Sequence, residues 1–384
     1  MSDPRLLPAG HAAAFLPETG TLRRLPRAPK RARAPEFFER FEGRALYYDC
    51  FWHADGQRIL LVGPPPLNLK PMLDGGRFTA LPSKTPLQAS LHISESVMIT
   101  ELLGAPAGTE AVRLTLGGEA FDLAVEPNLS ATLAGRRVVF TMSKDNDLAW
   151  ITDWARYHAE MHGAEAVVFF DNGSTRYSSA DIEAALLGAP GIAAAAVLNW
   201  PYIYGATDRA VLNNPFYTQF LQVSAMSVAL RRYAAKAAGL LNCDIDELVA
   251  APDGASIFAL AAQSPHGLVV MRGQFVEAAS DATPPRHKDF ALRLKDSKAR
   301  QSRPRKWVLD PTRDWVRSLD VHPYMHWVHG RPWFSKTQSP EVFYWHFRGI
   351  STNWKDRRTD TAHLRIEDVE RDERLAAVMG RIAW

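Results

Sequence analysis

Short apolar or alternating runs, separated by Gly, Pro and Asp-Gly, fill the chain from about Pro35 to Gly135: RALYYDCFW, RILLVG, SVMITELL, AVRLTL and EAFDLAV. A period of two interrupted by turn residues predicts hairpins, so this stretch is expected to form an antiparallel β domain. It carries no cluster of acids, bases or metal ligands.

From Arg136 the period changes. RRVVFTM reads as a strand and KDND as a polar loop with cap residues. Asp147 to His162 reads as a helix with Leu148, Ile151, Ala155, His158 and Met161 on one face and Gly163 as its stop. AVVFF is a second strand, ending at Asp171-Asn172-Gly173-Ser174-Thr175. Strand, helix and strand in this order make a right-handed βαβ unit, hence a Rossmann-like, mainly parallel sheet with helices on its faces. Ligands of such sheets sit at the carboxyl ends of the strands, where both polar loops fall. A later helix, from about Thr218 to Ala238, leads into GLLNC and then Asp244-Ile245-Asp246-Glu247-Leu248, which brings a third polar loop to the same edge. Residues from about Asp368 to Ile382 predict an amphipathic closing helix through Leu375, Val378, Met379 and Ile382.

The expected organisation is therefore a basic arm over 1–34, a β-rich domain over 35–135, an α/β domain over 136–360 and a C-terminal helix over 361–384. A chain of 384 residues is long enough for two domains, each with a full core. Between Glu18 and Glu36 the arm reads RRLPRAPKRAR with no acid, a composition that favours an extended, solvated segment. It reads either as a plain disordered terminus or as a peripheral contact to an anionic membrane.

The whole-chain excess of 45 basic over 42 acidic residues is too small to imply nucleic-acid binding. No stretch approaches the ~18 uncharged apolar residues of a spanning helix, and the first residues lack a signal-peptide pattern, so a cytoplasmic protein is expected. Cys50 and Cys243 read as reduced core residues.

Alternate residues of an extended segment point the same way, so Asp244 and Asp246 are expected to present two carboxylates together while Ile245 enters the core. Paired hard oxygens suit Mg²⁺ or Mn²⁺, which can bridge the phosphates of a nucleoside diphosphate. By itself Asp-x-Asp is a weak signal, because acids after a strand are commonly loop or cap residues.

The segment KDNDLAWITDWARYHAEMHGAEAVVFFDNGST, from Lys144 to Thr175, resembles the opening of glycosyltransferase family 92 and the related family 2 branch. Asn146-Asp147, Asp153-Trp154, Tyr157-His158 and Asp171 to Thr175 carry the likeness. It continues through Gln222, Asp244-Ile245-Asp246-Glu247, Lys306, His322, His346-Phe347-Arg348, Ser351 and Lys355, spanning roughly Arg136 to Lys355 and leaving the β domain uncovered. The resemblance implies a GT-A fold with Asn146, Asp147 and Asp171 near the nucleoside. It puts Asp244 and Asp246 at ribose and metal, and His346 at the metal and diphosphate. The chain departs from the pattern at Asp147 and Asp153, where Glu is usual, and at His346-Phe347, where Tyr commonly follows His; the first departure bears on donor choice.

Lys306 and Arg348 are candidate partners of the diphosphate, each with a surface salt bridge as the alternative. For a base beside the acceptor hydroxyl the candidates are Glu277, Asp281 and Asp289, with Glu277 chosen because the Gln274-Phe275 stretch resembles the family's acceptor-side loop; a salt-bridged loop acid is the equal alternative, and no base is needed if inversion does not carry over. Trp154, Tyr157 and His158 read as helix packing. His322, His326 and His329 have the spacing of a zinc cluster, but Pro323 and Gly330-Arg331-Pro332 oppose a continuous helix there. Trp200, Trp327, Trp333 and Trp345 are read mostly as packing, with stacking on sugar rings as the alternative.

The expected activity is transfer of a hexosyl group, galactose being one candidate, from a nucleotide sugar, UDP-linked in the first instance, to a glycan or lipid-linked glycan. Mn²⁺ or Mg²⁺ is required, inversion is expected, and polysaccharide biosynthesis is the setting. A non-catalytic glycan-binding protein on the same scaffold is the rival reading.

Overall fold

The computed structural model describes residues 5–27, 33–206, 218–333, 341–353, 358–362 and 364–384. Its larger sheet has nine strands in the order Arg5–Leu6, Ala194–Asn199, Ala166–Asp171, Arg137–Ser143, Gly239–Asn242, Gln301–Leu309, Leu268–Val276, Phe343–Phe347 and Glu247–Ala250. The first five strands run parallel. Gln301–Leu309 then joins antiparallel to both of its neighbours. Phe343–Phe347 is parallel to Leu268–Val276, and Glu247–Ala250 closes the sheet antiparallel. The result is a mixed α/β sheet whose parallel half holds the expected βαβ unit.

Local chemistry explains that half. All six residues of Ala166–Asp171 are buried, the continuous apolar run of a strand covered on both faces. Val168 and Phe170 enter one core with Leu221, Ala225 and Met226, whereas Val167 and Phe169 enter another with Ile151, Trp154 and Ala155. The helix Leu148–His162 starts where the Asp147 carboxylate accepts Ala149 N–H and stops at Gly163 in the left-handed region, φ 68°. The helix expected from about Thr218 to Ala238 is shorter than its sequence pattern: Phe220–Val228 passes into a wider π turn over Ala229–Tyr233.

The second sheet has seven strands, all antiparallel to their neighbours, in the order Glu119–Ala124, Ala111–Leu116, Arg77–Leu81, Thr85–Ile93, Met98–Leu103, Ile59–Gly63 and Asp49–Trp52. Thr85–Ile93 escaped the sequence reading because only Leu87 of its nine residues is buried, which leaves little alternation to see. Tyr48, Phe51, Leu60, Val62, Val97 and Ile99 join the core beneath the helix Phe220–Val228, so the two sheets share apolar packing. A buried ion pair pins the junction: Arg232 lies 3.1 Å from Asp49 and 3.1 Å from Glu126.

The expected solvated arm is corrected over its described part. Arg5–Leu6 extends the large sheet, Ala14–Phe15 pairs with Ala45–Tyr47, and Leu7, Ala12, Ala14 and Leu16 are buried. Arg24 is 1 % exposed and donates to the carbonyls of Pro65, Glu42 and Ala45. Its charge is thus engaged by backbone rather than offered to an anionic surface; the apolar residues that give the segment something to bury lie ahead of the basic run, from Leu7 to Leu16. Residues 28–32 of the basic run lie outside the described residues.

At the other end the closing helix is Glu373–Met379, capped by Asp372 and preceded by the strand Val369–Arg371. Cys50 and Cys243 are buried and free. Among the described residues no helix is long and apolar enough to cross a membrane.

Candidate active site

Three polar loops leave the parallel strands at one edge. The strand order puts the end of Arg137–Ser143 between the ends of Ala166–Asp171 and Gly239–Asn242. Strands are ~4.8 Å apart, so the outer two loops are separated by roughly 10 Å, the span of a nucleoside diphosphate.

The first two loops are tied to each other. Asp171, 4 % exposed, accepts Ser174 N–H at 3.1 Å and Ser174 Oγ–H at 2.5 Å. Asp145 accepts Thr175 N–H at 2.7 Å and Arg176 N–H at 3.1 Å, and its own N–H donates to Ser174 Oγ. Asn146 donates to Ser143 Oγ, while Asp147 is the cap of the following helix with Arg176 3.9 Å away. Asp171 and Asp147 therefore both have structural work, and Asp145, which the sequence reading did not single out, organises the junction. Asp153 is buried and held by a bidentate Arg286 fork.

The third loop departs from the expected geometry. Asp244-Ile245-Asp246 is a turn between Gly239–Asn242 and Glu247–Ala250, closed by Glu247 N–H to Asp244 O at 3.0 Å and by Asp244 N–H to Glu247 Oε2 at 2.9 Å. Ile245 enters the core as expected, and its carbonyl is met by His287 Nε2 at 2.9 Å.

The turn sends its two aspartates to different partners. Asp244 Oδ2 accepts from Lys306 Nζ at 2.5 Å. Asp246 Oδ2 lies 3.1 Å from His346 Nε2 and 3.0 Å from Arg358 Nη1.

Of the three expected metal ligands, Asp246 and His346 come together and Asp244 does not join them. Its place is taken by Glu247: one ligand atom each from Asp246, Glu247 and His346 lie within 4.8 Å of one another, the one such group among the described residues. A mixed carboxylate and imidazole set fits a divalent cation and suits Mn²⁺ better than all-oxygen Mg²⁺. Ser302 Oγ stands 2.9 Å from His346 Nδ1, so a proton on Nδ1 leaves Nε2 as the ligating atom.

The electrostatics follow from burial and partners. Burial pushes the Asp246 carboxyl up, but His346, Arg358 and Lys306 outweigh it and hold it down at about 2. Burial raises Glu247 to about 7 against the pull of Lys306. Burial also opposes the Lys306 charge, yet Asp244 and Glu247 keep that lysine protonated well above the ordinary range.

Two expected phosphate partners are thereby corrected. Lys306 is 1 % exposed and lies 2.9 Å from Glu247 as well as against Asp244, so it clamps the acidic turn instead of reaching a ligand. Arg348 lies over the Phe275 ring, 4.1 Å from its centroid, and 3.4 Å from Glu277. Glu277 itself is wholly buried, which removes it as a base for an acceptor hydroxyl; its carboxylate holds Arg348. The residue directly follows the strand Leu268–Val276, and its N–H donates to the Leu292 carbonyl at 2.8 Å, where the sequence suggested an open loop. Asp289, the alternative, accepts Arg286 N–H at 2.8 Å, and Asp281 is exposed.

Gln222 is buried and accepts from Tyr204 Oη at 2.7 Å. His322 and His329 pair across a two-stranded hairpin. Trp200 and Trp345 are buried, Trp327 stacks on Tyr324, and Trp333 is 90 % exposed. Trp154, Tyr157 and His158 pack inside the helix layer. Lys355 lies outside the described residues. Glu247 was legible as the acid following the motif, whereas Arg358 and Ser302 carried no signal, since only the fold brings them to the turn.

No family model matches the chain, and no curated protein matches it in sequence. Among solved structures it is similar to the galactosyltransferase LgtC in complex with donor and acceptor sugar analogs, at 13% identity and a TM-score of 0.28, covering 65% of this chain and 97% of that one. An active-site mutant of LgtC matches at 14% identity and a TM-score of 0.31 over the same shares.

Proposed function

We propose that the chain is a GT-A-type glycosyltransferase that takes a hexosyl group from a nucleoside-diphosphate sugar. The observation that carries the reading is the Asp246–Glu247–His346 group, standing on the strand edge that also bears the Asp145 and Asp171 loops. The resemblance to family 92 and the related family 2 branch runs through the same loops. A UDP-hexose is the donor to test first, galactose included, and a glycan or lipid-linked glycan is the acceptor class.

Asp246, Glu247 and His346 would hold the cation. When bound, Mn²⁺ or Mg²⁺ supplies charge neutralisation for a departing diphosphate. The remaining work falls to the chain. Lys306 sets a counter-charge against Asp244 and Glu247, Ser302 orients His346, and Glu277 holds Arg348 on the Phe275 ring. The Asp145–Ser174–Asp171 network stiffens the loops assigned to the nucleoside.

The test is thermal stabilisation by a panel of nucleotide sugars with and without Mn²⁺, followed by donor hydrolysis with the best binder. Asp246→Asn should lower the unliganded melting temperature, because it removes the partner of His346 and Arg358, and should abolish the Mn²⁺-dependent part of the shift measured from that new baseline. UDP-sugar binding that ignores Mn²⁺ and survives Asp246→Asn would refute the cation assignment; binding without hydrolysis or transfer would favour the glycan-binding reading.

A further inference from the structure

Asp246 Oδ2 and His346 Nε2 are 3.1 Å apart, and Arg358 Nη1 stands 3.0 Å from the first and 3.1 Å from the second. The three atoms form a near-equilateral triangle. In the tautomer with its proton on Nδ1, which leaves Nε2 free to ligate, His346 Nε2 and the Asp246 carboxylate are both acceptors and repel at this separation unless a positive group lies between them. Nη1 brings two hydrogens and part of a permanent charge, enough to satisfy both. The position that satisfies both acceptors is also the one a divalent ion would take to ligate them.

Arg358 is held at this post by its backbone. Its N–H donates to Asn353 Oδ1 at 3.0 Å, Asn353 Nδ2 donates to Thr359 Oγ1 at 2.7 Å, and Asn353 takes the left-handed backbone, φ 54°. The side chain is 32 % exposed, so it has a way out towards water that the buried Lys306, at 1 %, does not have. The acidic turn thus carries two cations of different kinds: Lys306 is sealed in, and Arg358 is exchangeable.

We infer that Arg358 is a built-in stand-in for the divalent cation: it occupies the Asp246–His346 position in the donor-free protein and must leave when the ion binds. This rests on the cation reading above and deepens it. Two consequences follow. The ion has to displace a charge-assisted pair, so it binds weakly on its own. A nucleoside diphosphate offers the released guanidinium new anionic oxygens, so nucleotide and ion bind cooperatively, each raising the affinity of the other by the same factor.

The experiment titrates Mn²⁺ into the full chain by calorimetry, without nucleotide and with saturating UDP, for wild type, Arg358→Ala, Arg358→Leu and Asp246→Asn. Without UDP, Arg358→Ala should bind Mn²⁺ about five- to tenfold more tightly than wild type, the worth of a partly buried charge pair. Arg358→Leu, which adds no ligand and keeps the bulk, should do the same. With UDP the gap should narrow to about twofold or less, because the wild-type guanidinium has gained its alternative partner. Mn²⁺ affinity that is unchanged or weaker in both Arg358 variants, while Asp246→Asn abolishes it, overturns the inference and leaves the cation site standing. Mn²⁺ binding that survives Asp246→Asn unaltered, or is absent throughout, overturns both.

Discussion

Replacing Lys306 by Met tests the electrostatic core of the site. The ammonium is 1 % exposed, 2.5 Å from Asp244 and 2.9 Å from Glu247, and Glu247 is itself 2 % exposed. Removing one member of a buried ion pair costs about 3–5 kcal/mol, because the partner keeps its charge without its counterion. Asp244 is 35 % exposed and water can take over part of its solvation, which places the expected loss at the lower end, ~3 kcal/mol near pH 8.

The loss should depend on pH in a definite direction. Glu247 has its carboxyl raised to about 7 by burial even with Lys306 present. A carboxyl whose folded pKa exceeds its unfolded value binds protons more readily in the fold, so stability falls as pH rises from the unfolded pKa through the folded one. Without Lys306 that pKa climbs further. Protonation then removes the stranded charge, so the deficit should shrink to ~1 kcal/mol near pH 5.5. Adding Glu247→Gln to Lys306→Met should recover most of the loss near pH 8, a positive coupling in the double-mutant cycle. Urea unfolding followed by circular dichroism at the two pH values reads all of this. A deficit under ~0.5 kcal/mol near pH 8, or one that grows on acidification, refutes the reasoning.

Arg232→Met should destabilise the chain by about 3–5 kcal/mol, because it strands Asp49 at the junction of the two sheets; a urea midpoint within error of wild type counts against that pair. His162 is buried with Nε2 on the Val249 carbonyl, and burial lowers its pKa to about 4. The unfolded chain therefore binds the proton first, and stability present above about pH 6.5 should decline by ~2 kcal/mol from this residue by pH 5. The pH dependence of urea unfolding should flatten in His162→Gln, and an unaltered slope would argue otherwise. His158, lowered by burial to about 3, adds to the same acid sensitivity.

Much of the scaffold is legible in the chain's own pattern. AVVFF declares a strand buried on both faces, and Asp147 with Gly163 marks a helix within a residue of its observed limits. These are local matters, decided by periodicity and caps. Thr85–Ile93 was invisible because an exposed strand has no alternation to display. The arm misled for the opposite reason: its charges suggested solvation, while the apolar residues ahead of them, from Leu7 to Leu16, pack against the fold, and the carbonyls around Arg24 absorb its charge.

The candidate site divides along the same line. One-dimensional information brought Asp145, Asp171 and Asp244 to Glu247 to one edge, because strand polarity alone determines where a parallel strand's loop emerges. Which oxygen faces which partner is a long-range matter. Lys306 arrives 62 positions after Asp244, His346 lies 100 positions after Asp246, and Arg358 lies 112 positions after it. No local rule sets those meetings; sheet order and the packing of Gln301–Leu309 and Phe343–Phe347 do. The chain's own pattern therefore determined that acids gather at this edge. Only the tertiary structure decided that Asp244 is clamped by a buried lysine, that Glu247 takes its place beside Asp246 and His346, and that Glu277 is sealed away, because burial and counter-charge are properties of the assembled neighbourhood.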